Sequence, residues 1–175
     1  MTHRTLGLLK ELTDINMIKK TIEIRFEELD FSELSQEQME LVNSARKATD
    51  NSNARYSQFN VGAAIRLADG QIVIGANQEN AAFPLCLCAE RTAIFAAQAN
   101  YPDQAITQIA ICARTKDGFT ESPVSPCGSC RQVMTEMEDR YGNAMSVLLC
   151  GKNKVYRMKT ARDILPLGFV DADMR

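Results

Sequence analysis

Two apolar runs, "ITQIAICAR" from Ile106 and "AMSVLLCG" from Ala144, constrain the fold of this chain most. Each is nearly continuous rather than alternating, so each predicts a strand buried on both faces. Such strands need helices to cover them, and a helical segment precedes each one. "CAERTAIFAAQAN" is rich in alanine and leads to the first. "PVSPCGSCRQVMTEMEDRYG" is a loop running into a helix closed by Gly142, and leads to the second. Upstream, "EQMELVNSARKATDN" is an amphipathic helix with Met39, Leu41, Val42 and Ala45 on its inner side. "NVGAAIRLADGQIVIGANQE" predicts two strands joined at Asp69-Gly70, a strong hairpin signal. "KVYRMKTARDILPLGF" adds a last strand and a short helix. The order α-β-β-α-β-α-β-β-α predicts an α/β fold of three layers, α/β/α, around a mixed sheet of roughly five strands.

Residues 1–35 read differently and form an N-terminal extension to a domain over 36–175. "LGLLKEL" has the pattern of a short helix, and "KKTIEIRFEEL" alternates like a strand. Ser35 is placed to cap the following helix, with Glu37 or Gln38 in its first turn. Met17 is an alternative initiator. No apolar run approaches the roughly 20 residues that span a bilayer, and the N-terminus lacks the pattern of a secretory signal. The expectation is a cytoplasmic protein. A net charge of -2 and a pI near 5.5 provide no general attraction for polyphosphate or anionic lipid. The partners expected are small molecules, not nucleic acid or membrane.

The six cysteines bear on chemistry. Cys112 and Cys150 stand in the apolar runs and read as small buried hydrophobes. Cys88 begins one alanine-rich helix, and Cys127 and Cys130 begin the next. Free N–H groups and the helix dipole stabilise a thiolate there. Cys-x-x-Cys places two sulfurs on one turn, and Cys88 supplies a third. Three protein ligands leave one position of a zinc ion open, the mark of a catalytic site. The only histidine is His3, so a proton shuttle must come from elsewhere. Glu90, two residues past Cys88, is the candidate. Arg91, directly after Glu90, and Arg131, directly after Cys130, are placed to offset the charge of three thiolates. Two other readings stay open: a structural zinc with Cys86 as fourth sulfur, and a redox Cys-x-x-Cys pair.

"CAERTA" followed by "PCGSCRQ" resembles the homotetrameric cytidine deaminases of the three-cysteine zinc type. "FNVGAA", "NQENAAFP" and "ILPLGF" resemble further blocks of that family in the expected order. The resemblance spans about Gln36 to Phe169. It implies Zn²⁺ held by Cys88, Cys127 and Cys130, and proton transfer by Glu90. It also implies substrate contacts from Phe59, Asn77, Glu79, Ala81, Phe83, Ala89 and Phe169. Asn77 and Glu79 would bind the ribose 3′-hydroxyl, and the Ala89 N–H the base oxygen. Phe169 would stack on the pyrimidine from a neighbouring subunit, so the implied assembly is a homotetramer with shared active sites. The implied reaction converts cytidine and 2′-deoxycytidine to the uridine forms in pyrimidine salvage. Deamination of another cytosine substrate, such as a blasticidin-type antibiotic, is the alternative. Phe83 departs from the family, where tyrosine is common.

Overall fold

The structure is a computed structural model that describes residues 18–175. The helix expected at "LGLLKEL", Met17 and His3 lie outside the described residues. One mixed sheet of seven strands is covered by helices on both faces. The strands are β1 (Glu27–Asp30), β2 (Asn60–Leu67), β3 (Ile72–Ala76), β4 (Ile106–Thr115), β5 (Gly118–Phe119), β6 (Ser146–Cys150) and β7 (Lys154–Met158). The long helices are α1 (Gln36–Ala48), α2 (Ala89–Asn100) and α3 (Gly128–Tyr141). The sheet order is β1-β7-β6-β4-β2-β3, with β5 paired to β4.

The layers follow from the two-residue period of a strand. Ala63, Ile65 and Leu67 of β2, Ile109 and Ile111 of β4, and Val147 and Leu149 of β6 face α2 and α3. The residues between them, Ala64, Ala110, Cys112, Leu148 and Cys150, face α1. The central strands therefore carry apolar side chains on both faces. Cys112 and Cys150 are each 1% exposed, as their place in these runs predicts.

Two glycines set how closely the helices approach. A Cβ on Gly62 would lie 2.2 Å from the Ala45 carbonyl oxygen of α1. A Cβ on Gly75 would lie 2.4 Å from the Ala93 nitrogen and 2.5 Å from the Ala89 oxygen of α2. Hydrogen alone at these positions lets each helix backbone sit directly on the sheet. The expected turn at Asp69-Gly70 forms: Gly70 has φ of 90°, and the Gln71 N–H donates to Asp69 Oδ1 at 3.0 Å. Ser35 caps α1 through a reciprocal pair with Gln38, at 3.2 and 3.0 Å. Gly142 closes α3 in the left-handed conformation, φ 61°.

The strand count differs from the roughly five expected because two short edge elements add to the sheet. The alternation over residues 19–29 becomes a strand only at Glu27–Asp30, where β7 supplies an antiparallel partner. The two-residue β5 brings Phe119 over Arg46, whose guanidinium lies between Phe31 and Phe119, 4.5 Å from each ring centroid. The helix expected after β7 is a single 3-10 turn, Ala161–Ile164. Glu138 of α3, 5% exposed, anchors that region. It accepts from the Met145 N–H at 2.7 Å, the Ala161 N–H at 2.9 Å and the Thr160 hydroxyl at 2.7 Å. Among the described residues, no helix is long and apolar enough to cross a membrane.

The topology decides where α2 and α3 begin. Strands β3 and β4 both run antiparallel to β2, and so parallel to each other; β4 and β6 are parallel. Helix α2 connects β3 to β4, and α3 connects β4 to β6. Both helices thus start from the carboxyl ends of parallel strands, along one edge of the sheet. Gly75→Ala is expected to push α2 off the sheet and lower unfolding stability by about 1–3 kcal/mol, the range for overpacking. Urea denaturation measures this, and an unchanged midpoint would show that the close approach is not needed.

Candidate active site

Cys88 is the N-cap of α2 and Cys127 the N-cap of α3, both in extended backbone conformation; Cys130 lies in the first turn of α3. The sheet edge brings the two helix starts together. Cys88 Sγ lies 3.8 Å from Cys127 Sγ, which lies 3.5 Å from Cys130 Sγ. All three sulfurs fall within 4.8 Å of one another. A tetrahedral zinc with Zn–S bonds of about 2.3 Å requires sulfurs about 3.8 Å apart, so this trio fits the ion.

With only protons to share, the cluster divides them unequally. Hydrogen bonding from Cys130, helped by Arg91 and Cys127, lowers the Cys88 pKa to about 5 against the opposing effect of burial. Cys130 is pushed far up by its bond to the Cys88 thiolate and by its burial. The lowered pKa favours the thiolate form of Cys88. The Arg91 guanidinium supports it, with Nη2 at 3.8 Å from Cys88 Sγ and 3.4 Å from the Cys86 carbonyl oxygen.

Glu90 stands in the first turn of α2 and is 3% exposed. Burial first, and the negative Cys88 second among the raising effects, lift its pKa above the usual carboxylate range. It lines a cavity of about 380 Å³ together with Cys88, Cys127, Arg91, Phe59, Asn77 and Glu79. The loop before β2 shapes the far wall. Asn77 Oδ1 accepts from the Ser52 hydroxyl at 2.7 Å and the Val61 N–H at 2.8 Å, while Nδ2 donates to the Phe59 carbonyl at 3.0 Å. One amide N–H of Asn77 remains for a ligand. Glu79 accepts from the Tyr56 N–H at 2.7 Å and from the N–H and hydroxyl of Ser57, at 3.2 and 2.5 Å. These bonds, the Ser57 hydroxyl foremost, hold its carboxyl below the usual range.

Four of the expected substrate residues, Ala81, Phe83, Ala89 and Phe169, do not line this cavity. Ala81 is exposed, and so are Phe83 and Phe169, at 68% and 58%. Phe83 meets the edge of Tyr56, with ring centroids 5.8 Å apart. Ala89 is fully buried at the start of α2. Arg131 does not reach the sulfurs: it donates to the Pro126 carbonyl at 2.8 Å and the Ile164 carbonyl at 3.0 Å. It braces the loop before Cys127 against the C-terminal turn. Cys86 is outside the sulfur trio. Its Sγ accepts from the Asn80 N–H at 3.2 Å and donates to the Asn80 carbonyl at 3.7 Å, tying the loop before α2. The four-sulfur alternative lacks its fourth sulfur.

Sequence reasoning missed Ser57, Val61, Leu87, Ile111, Val124 and Ser125, which with Cys86 complete the cavity wall. They come from loops, from β2 and from the middle of β4, and carry no local signal of that place.

Residues 35–143 match the family model for the cytidine and deoxycytidylate deaminase zinc-binding region. A cytidine deaminase of Sporosarcina psychrophila is 37% identical over 134 residues, covering 77% of this chain and 92% of that protein. One from Halalkalibacterium halodurans is 44% identical over 97 residues, 55% of this chain and 69% of that protein. The crystal structure of a cytidine deaminase from Burkholderia pseudomallei superposes with a TM-score of 0.64 at 38% identity, covering 74% of this chain and 97% of that one. The chain belongs to the family of zinc-dependent cytidine and deoxycytidylate deaminases, and its metal is zinc.

Cys127 is exposed and Cys86 lies apart from the trio, so the two separate cleanly by mutation. Cys127→Ala is expected to lose bound zinc while staying folded, and Cys86→Ala to keep one zinc per chain. Elemental analysis of the purified variants decides it; loss of zinc from Cys86→Ala would return Cys86 to the ligand set.

Proposed function

We propose that the protein hydrolyses cytidine and 2′-deoxycytidine to uridine and 2′-deoxyuridine, releasing ammonia. The observation that carries this reading is the buried Glu90, held beside the three-cysteine cluster at the head of a cavity of about 380 Å³. Cys88, Cys127 and Cys130 would hold the zinc, which would supply a water of lowered pKa, about 7, for attack at neutral pH.

The rest is the work of this chain's own groups. Glu90 takes a proton from the attacking water and delivers it to ring nitrogen 3 as the water oxygen bonds to carbon 4. It then moves the remaining proton of that oxygen to the amine; the bond from carbon 4 to nitrogen breaks, ammonia leaves, and the oxygen becomes the carbonyl of uridine. Its low-dielectric surroundings favour exchange of that proton over permanent ionisation. The Ala89 N–H is a first-turn amide without a partner inside its helix, suited to the base oxygen. Phe59 covers the nucleoside. The free N–H of Asn77 and the remaining acceptor capacity of Glu79 suit a ribose 3′-hydroxyl, which can both accept and donate. Both side chains are already immobilised by the loop before β2, so binding loses little further side-chain freedom. Arg91 offsets the charge of the thiolates, while Arg131 positions Cys127 through the Pro126 carbonyl.

Ala81, Phe83 and Phe169 make sense as contributions to a neighbouring subunit's site, in a homotetramer with shared active sites. Large exposed aromatic rings at two of these positions support that assignment. The cellular reading is pyrimidine salvage in the cytoplasm.

Glu90→Gln keeps the side chain's size but removes its exchangeable acid. It is expected to lower turnover of cytidine by at least about 10³-fold while zinc stays bound. Loss of ultraviolet absorbance on deamination follows the reaction. Near-normal turnover in this variant would remove Glu90 from its role. In a panel with the native protein, conversion of a blasticidin-type nucleoside or of single-stranded DNA, but not of free cytidine, would overturn the substrate assignment.

A further inference from the structure

We propose that residues 20–28 pair antiparallel with the same residues of a second copy of this chain, about a two-fold axis at Ile24. The segment forms an interface that joins two sheets at their β1 edges.

Strand β1 ends the sheet: β7 takes its inner edge, and its outer edge has no strand partner among the described residues. An open edge of this kind is a template for another strand. The chain leading into it exposes four large apolar side chains within nine residues: Ile18, Ile22, Ile24 and Phe26, at 81%, 55%, 48% and 54%. Such a density of exposed apolar groups marks a contact surface.

The sequence of the segment commits it to a copy of itself. With Ile24 opposite Ile24 in antiparallel register, Ile22 faces Phe26 and Glu23 faces Arg25, each pair occurring twice. Lys20 then faces Glu28, which already meets Lys154 of its own chain. Apolar residues meet apolar residues and every charged pair has opposite signs, the arrangement that stabilises cross-strand neighbours. Other registers lose this. Centring on Arg25 sets Arg25 against Arg25 and Glu23 against Glu27. Centring on Glu23 sets Glu23 against Glu23 and Lys20 against Phe26. A slip of one residue on one strand puts Ile24 against Arg25 and mismatches the faces. Charge and polarity therefore select a single register. A two-fold pairing of identical segments is closed, so each segment engages one other copy.

Glu23 and Arg25 lie 2.9 Å apart within one chain and are exposed, so the second copy completes an alternating square of four charges. None of residues 20–28 lines the catalytic cavity. The interface is thus independent of the deaminase reading, and the two can fail separately.

The test is a disulfide cross-link between the two copies of position 24, introduced by Ile24→Cys. Residues directly opposite in an antiparallel pair have Cα atoms about 4.5–5.5 Å apart, within the range a disulfide spans. Full-length Ile24→Cys protein under mild oxidation is expected to form a reducible dimer. Mass spectrometry should find the two peptides that contain position 24 joined to each other. Adding Glu23→Arg alone, or Arg25→Glu alone, should cut the yield at least about fivefold, since like charges directly opposite repel. Adding both should restore it, since the exchanged charges still face opposite signs. Cytidine turnover should be the same in all these variants before oxidation. Absence of the link between the introduced thiols, or equal yields in all four charge backgrounds, overturns the pairing, whatever the enzyme's activity.

Discussion

Everything at the catalytic edge depends on two helices starting side by side from parallel strands. A helix start presents unpaired N–H groups and positive potential. Placing two such starts together gathers three cysteine sulfurs at one point, and the hydrogen bond from Cys130 favours the thiolate at Cys88. Cys88 and Cys127 occupy the cap positions themselves, and Cys130 follows in the first turn. The same geometry turns Glu90 into the head of the cavity. The carboxylate is buried there because α2 lies flat on the sheet, and α2 lies flat because residue 75 has no side chain.

Two buried carboxylates show how context divides similar groups. Glu138 is surrounded by donors: two backbone N–H groups and the Thr160 hydroxyl. It fixes the end of α3 to the start of β6 and to the turn after β7. At Glu90, burial first and the negative Cys88 after it raise the pKa. One carboxyl is engaged by donors of its own fold, and the other lines the cavity. Glu79 is a third case, held by hydrogen bonds from Tyr56 and Ser57 of the loop before β2.

Cys88, Cys127, Glu90, Asn77 and Glu79 line one cavity within the single chain. Phe83 and Phe169 are exposed and do not line it. Residues 18–26 present a different exposed surface next to β1.

Much of this was legible in the residues. Continuous apolar runs announced the two-sided strands, Asp69-Gly70 the hairpin, Ser35 the helix start, and the cysteine spacing the metal. These signals are local, acting within a few residues of backbone. What lay beyond reach was set by partners distant in the chain. Residues 21–27 alternate between apolar and polar, yet strand begins only at Glu27, where β7 supplies a partner. Arg131 sits directly after a zinc ligand, yet carbonyls of Pro126 and Ile164 take its guanidinium. Cys86 differs from Cys88 by two positions, yet only Cys88 falls at the helix start that faces α3. Residue types and spacing by themselves determined the chemistry this protein could support. Tertiary structure alone decided which of the similar groups perform it, because the field and the solvent at each one come from residues the chain brings back from afar.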